Sequence, residues 1–316
     1  METFERMTQL PGGLTIEALR AQIRGEILEN EPLKDRTTYR IGGSARLLVC
    51  PKDFEDLQKL HRLIRASGVP CFILGGGANV LVSDVGFAGI VVHLKHFDRL
   101  EFRGSRVAAG AGLVLDAFVC ACLKRGLAGL ERLSGIPGTL GGALRMNAGA
   151  FDAEISDHLL EVECMDFEGN RRFLARSEVG FAYRQAPVIR DTYILGATFD
   201  FPAGAIEQLF IIREQILSRR YEKQPWQYPT AGSVFKRPPG GYYTGKLIED
   251  LGLKGARVGR AQISPKHAGI IVNLGGAKAS DVLGLIRLAQ AEVLKHYGVS
   301  LELEQELIGF EGAEDP

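Results

Sequence analysis

The chain has 316 residues, 46% hydrophobic and 24% charged, with 38 Lys plus Arg against 38 Asp plus Glu. That length predicts about two domains, and the balance is that of a globular chain able to bury a core without staples. Zero formal net charge lacks the electrostatic footprint of a nucleic-acid or membrane-surface binder. No run approaches the ~20 apolar residues of a membrane span. Residues 1–6 carry acids and no apolar stretch, which argues against a signal peptide and for the cytoplasm. Cys50, Cys71, Cys120, Cys122 and Cys164 form no CxxC pair and read as small buried thiols of a reducing compartment. His93 and His96 are the only close histidine pair. Strand alternation sends them to opposite faces, so no metal site is expected.

In chain order, residues 14–28 read as an amphipathic helix and 45–50 as an apolar strand. Asp53 opens a helix that Gly68 closes, with Phe54, Leu57, Leu60, Leu63 and Ile64 on one face. Short strands follow at 71–74, 80–82 and 89–92, completing a small α/β unit over the first ~95 residues. Short strands around 100–109 precede a helix at 113–124. Five strand-like runs occupy 160–200, with Glu168-Gly169-Asn170 as a hairpin signal. A connecting helix spans 205–220, followed by a polar, aromatic stretch at 221–245. The last part holds strands at 257–264 and 268–274, a helix from Ser280 to Tyr297 capped by Ser280 and ended by Gly298, and a strand at 301–308. No repeat of 20–50 residues is visible.

Five motifs carry chemical options. Gly75-Gly76-Gly77 lies between two apolar strands, where backbone N–H groups can converge on a phosphate; a plain strand turn is the alternative. It matches neither G-x-G-x-x-G nor a P-loop. A second cluster, Gly135, Gly138, Gly141, Gly142 and Gly149 with Pro137 and Asn147, is too apolar for a linker. Two such loops about sixty residues apart suit a dinucleotide, or are two structural loops. Tyr183-Arg184 ends a strand-like run at 179–182; Arg is a fixed cation suited to a carboxylate or enolate, though a surface arginine reads the same. Ser233 in Ala231-Gly232-Ser233-Val234 has no adjacent His and reads as a proton donor or a turn cap. Glu302, Glu304 and Glu306 alternate along one strand face, solvated or turned to a cleft.

These stretches together resemble the UDP-N-acetylenolpyruvoylglucosamine reductases, also called UDP-N-acetylmuramate dehydrogenases. The matching segments are Thr38-Tyr39-Arg40-Ile41-Gly42-Gly43, 74–81, 134–150, Phe181-Ala182-Tyr183-Arg184, 231–238, 264–273 and 301–309. Each is weak alone, and seven in order are specific. The resemblance implies an α+β chain: a two-subdomain FAD-binding fold of the vanillyl-alcohol-oxidase type over 1–98 and 99–204, and a C-terminal α/β substrate-binding domain over 205–316. It implies NADPH-driven reduction of an enolpyruvyl ether of UDP-N-acetylglucosamine, in bacterial peptidoglycan synthesis. FAD is expected to be bound without a covalent link, the loop at 75–81 having no His. No metal, nucleic acid, membrane insertion or obligate protein partner is implied.

By the same resemblance Arg184 and Glu304 stabilise the reaction intermediate and Ser233 is the general acid. Tyr39, Gly75, Gly76, Gly77, Asn79, Val80, Leu81, Gly135, Ile136, Pro137, Gly138, Gly141, Gly142, Asn147, Ala148 and Gly149 fall where the family holds its cofactor. Tyr183, Lys223 and Lys236 are expected at the substrate, with Arg219 and Arg220 as further cations for its diphosphate. The short interval from Arg184 to Ser233 resembles the family's shorter subtype, which lacks an inserted loop carrying a clamping Tyr. Arg237, Ala186 and Gln305 depart from the Asn, Ser and Val common at those places. Two rival readings stay open: another FAD oxidoreductase of the same fold, and a nucleotide-sugar-binding protein without redox chemistry.

Overall fold

A computed structural model describes residues 10–310; the stretch read as no signal peptide and residues 311–316 lie outside the described residues. The chain divides into two compact units, each discontinuous in sequence. The first comprises residues up to Asn30, Arg46–Gly75 and Gly89–Leu217; the second comprises Glu31–Ala45, Gly76–Ala88 and the chain from Ser218 onward. The helix Ile206–Lys223 carries the chain from one to the other, as a connector should.

A four-stranded sheet runs in the order Glu26–Pro32, Ser44–Cys50, Phe87–His93, Cys71–Leu74. Helix Phe54–Ser67 forms as expected: the Asp53 side chain accepts from Asp56 N, and Gly68 ends it at φ 65°. Leu57, Leu60 and Ile64 bury its apolar face in a core with Leu47, Val49 and Ile90. The first helix is shorter than the pattern predicts. It covers Ile16–Gln22, and Glu26–Pro32 is a strand. The wholly buried Asp56 carboxylate accepts the N–H groups of Arg24, Gly25 and Lys52 at 2.8–2.9 Å. These bonds hold the backbone at 24–25 away from helix, a long-range effect that periodicity does not carry.

The first unit also holds a five-stranded antiparallel sheet, ordered Arg171–Ala175, Leu159–Met165, Tyr193–Asp200, Arg106–Gly110, Leu100–Arg103. The Glu168-Gly169-Asn170 hairpin is present, closed by Asp166 N to Asn170 O at 3.0 Å. Only three strands occupy 159–200, not five. Gly180 at φ 72° and the turns around Pro187 break the intervening stretch, which starts with the short helix Arg176–Val179. Helix Leu115–Leu123 buries Phe118, Val119 and Cys122 against this sheet's Phe199 and Val162.

In the second unit a three-stranded sheet, Arg257–Val258, Ala261–Ile263 and Ile271–Asn273, packs under helix Ala279–Tyr297. Gly298 ends that helix at φ 67°. Ser280 is not its cap: Ser280 lies inside the helix, and the Asp84 carboxylate accepts from Ala279 N (2.7 Å), Ser280 N (3.1 Å) and Ser280 Oγ (3.0 Å). The expected strand at 301–308 shrinks to Glu306–Ile308, parallel to Val80–Val82. Before it, Leu303 bridges Phe235 on a different neighbour. Glu302, Glu304 and Glu306 therefore do not share one strand face.

Of the cysteines, Cys50, Cys122 and Cys164 are buried as expected, whereas Cys120 is half-buried and Cys71 is exposed as a residue. The Cys71 thiol still lies 3.9 Å from Tyr193 Oη, and burial pushes it up to about 11. Among the described residues no cluster of His, Cys, Asp or Glu could hold a metal. No described helix is long and apolar enough to cross a membrane.

Asp84→Ala removes three hydrogen bonds and a negative charge from a helix N-terminus. It should cost about 0.5–2 kcal/mol, read as an earlier urea midpoint by circular dichroism. Asp84→Asn should recover part of that loss, and an unchanged Asp84→Ala midpoint would show that the cap does not stabilise the fold.

Candidate active site

In the first unit a cleft is lined by Leu74, Gly75, Gly112, Thr139, Gly141 and Gly142 among others. The two glycine clusters meet here. A Cβ on Gly75 would lie 2.9 Å from Thr139 Oγ1, and one on Gly141 would lie 2.9 Å from Ala111 Cβ. Thr139 caps the helix Leu140–Arg145 by accepting from Gly142 N. Gly142 is different: a Cβ there meets only Thr139 Oγ1, at 3.7 Å. The protein itself leaves room for a side chain at 142, so the bare backbone there fits close approach by another molecule.

The segment 135–138 is held from outside. Gly135, at φ 75°, donates its N–H to Asp116 Oδ1 at 2.8 Å. Arg213 grips the same carboxylate with two bonds of 2.7 Å, a bidentate geometry that fixes direction as well as distance. Gly138 is also left-handed, Ile136 half-buried and Pro137 exposed.

Asn147 follows, wholly buried and left-handed at φ 42°. Its Nδ2 donates to Glu154 Oε2 at 2.7 Å and to Ala182 O at 3.1 Å, while its Oδ1 has no partner among the described residues. Ala182 and Gln185 exchange two backbone bonds of 3.0 Å, so Tyr183 and Arg184 form the tip of a two-residue turn. This replaces the expected end of a strand, and Arg184 takes φ 55° to make it. Arg184 Nη2 donates to Gly149 O at 2.9 Å, and its guanidinium lies 5.2 Å from the Tyr183 ring centroid. The fold thus joins Arg184, Tyr183, Asn147, Ala148 and Gly149 in one corner.

In the second unit Thr38 N donates to Gly77 O at 3.0 Å and Thr38 Oγ1 to Thr230 O at 2.7 Å. Gly77 is obligatory: it sits at φ 62°, and a Cβ would come 2.1 Å from Arg36 O. Within the described residues no hydrogen bond is donated by the N–H groups of Gly76, Gly77 or Ala78, which leaves them to an anion. Tyr39 and Leu81 are fully buried in the core of this unit. As side chains they pack in that core, and burial pushes the Tyr39 phenol far up. Val80 is buried beside Leu81 in the same strand.

Ser233 and Glu304 come together on one pair of segments. Val234 O accepts Glu304 N at 2.9 Å, Lys236 N donates to Glu302 O at 2.9 Å, and Phe235 bridges Leu303. Ser233 is exposed, after Gly232 at φ 74°. Gln305, 3% exposed, donates from Nε2 to Ala231 O and Gly232 O at 3.3 and 3.4 Å, tying the Ser233 loop down. Lys236 pairs with Glu302, and Arg237 lies 4.6 Å over the Tyr243 ring. Arg219 and Lys223 are exposed and Arg220 buried along one helix; Lys236 is bonded to the Glu302 side of the Ser233–Glu304 pair of segments.

Four positions escaped the sequence reading. Thr139 carried a signal, a small hydroxyl residue just before a helix. Asp116 lies 19 residues from Gly135 and Arg213 lies 97 from Asp116, while Glu154, only 7 residues from Asn147, sits in a loop where no regular spacing marks the contact.

The glycine-floored cleft of the first unit suits close approach by a ligand, and the N–H groups of Gly76, Gly77 and Ala78 in the second unit suit an anion such as a diphosphate. Backbone of this kind fits a flavin-dependent oxidoreductase. The profile of an FAD binding domain matches residues 45–174, and that of the C-terminal domain of UDP-N-acetylenolpyruvoylglucosamine reductase matches 224–308. The chain is 45% identical to the UDP-N-acetylenolpyruvoylglucosamine reductase of Caldicellulosiruptor saccharolyticus over 90% of this chain and 92% of that one. It is 43% identical to that of Caldanaerobacter subterraneus subsp. tengcongensis, over 90% and 94%. The crystal structure of the Thermus caldophilus reductase superposes with a TM-score of 0.77 at 36% identity, covering 90% of this chain and 99% of that one. The chain belongs to the UDP-N-acetylenolpyruvoylglucosamine reductase family, with the FAD-binding and C-terminal parts that the resemblance implies and FAD as its cofactor.

Gly142→Val should keep the fold, because the protein leaves that space open, yet fill the place of the ligand. The purified variant should keep native circular dichroism and lose most of its flavin absorbance. Full flavin occupancy in Gly142→Val would remove this cleft from cofactor binding.

Proposed function

We propose that the chain reduces UDP-N-acetylenolpyruvoylglucosamine to UDP-N-acetylmuramate with NADPH as reductant, in the cytoplasm, for peptidoglycan synthesis. The observation that carries the reading is the pairing of the Ser233 and Glu304 segments in one unit, in a chain 45% identical to a reductase of that name. The division of labour follows the sequence: 1–98 and 99–204 for the cofactor, 205–316 for the substrate.

The residues present fit the cofactor. Gly75, Gly135, Gly138, Gly141 and Gly142 give side-chain-free backbone, and Gly76 and Gly77 give N–H donors for a diphosphate. Asn147 holds the segment through Ala148 and Gly149, and Asn79 and Val80 continue the first loop. FAD held there without a covalent link would, once reduced by NADPH, supply a hydride to the methylene carbon of the enolpyruvyl ether. Charge then builds on the substrate carbon beside its carboxylate. Arg184 offsets that charge with a fixed cation whose direction the Gly149 carbonyl helps to set. Ser233 delivers a proton to that carbon as general acid, and Glu304 stabilises the intermediate. Tyr183, Lys223 and Lys236, with Arg219 and Arg220, face the nucleotide sugar. The Lys236–Glu302 pair is largely exposed on its acid side, worth at most about 1 kcal/mol, so a diphosphate displaces Glu302 readily.

Arg184→Ala should lose roughly 10²–10³ in turnover, as for one oxyanion donor, and Arg184→Lys should recover only part. In stopped flow, Ser233→Ala should accept electrons from NADPH at close to the native rate. Its oxidation by the enolpyruvyl substrate should slow about 10²–10⁴-fold, with Ser233→Cys less impaired. Equal slowing of both half-reactions would make Ser233 a turn cap, and an unimpaired second half-reaction would remove it from the chemistry.

A further inference from the structure

Glu304 stands where its chain changes partners. From Glu302 to Glu304 the segment runs beside residues 234–236; from Glu306 to Ile308 it follows Val80–Val82. Such a crossover leaves peptide groups without a regular ladder. Here both peptide planes flanking Glu304 are pinned. Its N–H donates to Val234 O at 2.9 Å. Its carbonyl accepts from the side chain of Asn79, Nδ2 to O, at 2.8 Å. Asn79 also accepts Glu306 N at its own carbonyl, 3.0 Å away. The amide side chain therefore adds one rung to the parallel ladder, beyond the point where the backbone can.

We propose that Asn79 is a positioning residue for Glu304: its side chain fixes the peptide plane after Glu304 and so the direction in which the Glu304 carboxyl points. Two bonds on either side of one Cα set that residue's φ and ψ, and φ and ψ set the Cα–Cβ vector. The first glycine loop then has a second task. Besides lying at the cofactor, it aims a residue 225 positions later in the chain. Only an amide N–H₂ at this place can donate to a carbonyl, so a carboxylate of the same shape reverses the contact from attraction to repulsion.

This inference rests on the catalytic reading of Glu304, and the experiment separates the two. Both half-reactions are followed by stopped flow, each normalised to bound flavin, for Asn79→Ala, Asn79→Asp and Glu304→Ala. For Asn79→Ala the oxidation of the enzyme by the enolpyruvyl substrate should fall between about 10- and 100-fold relative to its reduction by NADPH. Asn79→Asp should be similarly slow at neutral pH. As the pH falls through the introduced carboxyl's pKa, the neutral acid regains a donor, and the second half-reaction should speed up along a limb that the native pH profile lacks. A role confined to holding cofactor or fold would lower both half-reactions together without that limb. An activity-independent measurement runs alongside: in the apoprotein, amide exchange of 301–308 should quicken in Asn79→Ala. If Glu304→Ala is slow while both Asn79 variants keep the native ratio of half-reactions, the positioning role is wrong. If Glu304→Ala itself keeps that ratio, the catalytic reading of Glu304 fails instead.

Discussion

The second unit depends on one short parallel pairing, Val80–Val82 with Glu306–Ile308. Three residues on each side hold together segments more than two hundred positions apart. The pairing ties the first glycine loop to the last strand, and Ser83 N extends it by donating to Ile308 O at 2.8 Å. Leu81 is completely buried between its neighbours, so the contact is apolar as well as hydrogen-bonded. Placing Glu304 beside Val234, and through it beside Ser233, requires this anchor. A loop and a carboxylate supplied by opposite ends of the chain thereby acquire a fixed relation.

The first unit reaches its geometry differently, by removing side chains and by pinning loops with buried polar groups. Gly75 and Gly141 leave no space for a Cβ, whereas Gly142 leaves space that the protein does not use. Asp116, held by Arg213, accepts the N–H of Gly135. Glu154 and Ala182 share the Asn147 amide. Each arrangement satisfies a polar group that would otherwise cost about 1–3 kcal/mol to bury. Each also orders a segment, the loop at 135–138 or the corner that carries Arg184. The left-handed backbone of Asn147 and Arg184 shows where the chain is bent against its preference, a cost that sites tolerate when the surroundings over-determine the conformation.

Much of this was legible in the residues. Asp53 and Gly68 bracket their helix, the glycine clusters mark the cleft, and the order of seven motifs names the family. What was not legible came from contacts distant in sequence. The first helix stops early because Asp56 captures the N–H groups of Arg24 and Gly25. Ser280 looked like a cap because it is the right residue type at the right offset, but Asp84 reaches the same N–H groups from another part of the chain. The alternation of Glu302, Glu304 and Glu306 suggested a single strand, yet the segment switches neighbours midway.

The most direct test of the whole account is a single turnover without oxygen. The flavin-loaded protein is reduced with one equivalent of NADPH, mixed with UDP-N-acetylenolpyruvoylglucosamine, and followed by flavin absorbance and by mass spectrometry of the sugar nucleotide. The account predicts rapid return of the oxidised flavin spectrum and a product heavier than the substrate by two hydrogens, identical to UDP-N-acetylmuramate. A flavin that stays reduced in the presence of this substrate, with the sugar nucleotide recovered unchanged, would contradict it.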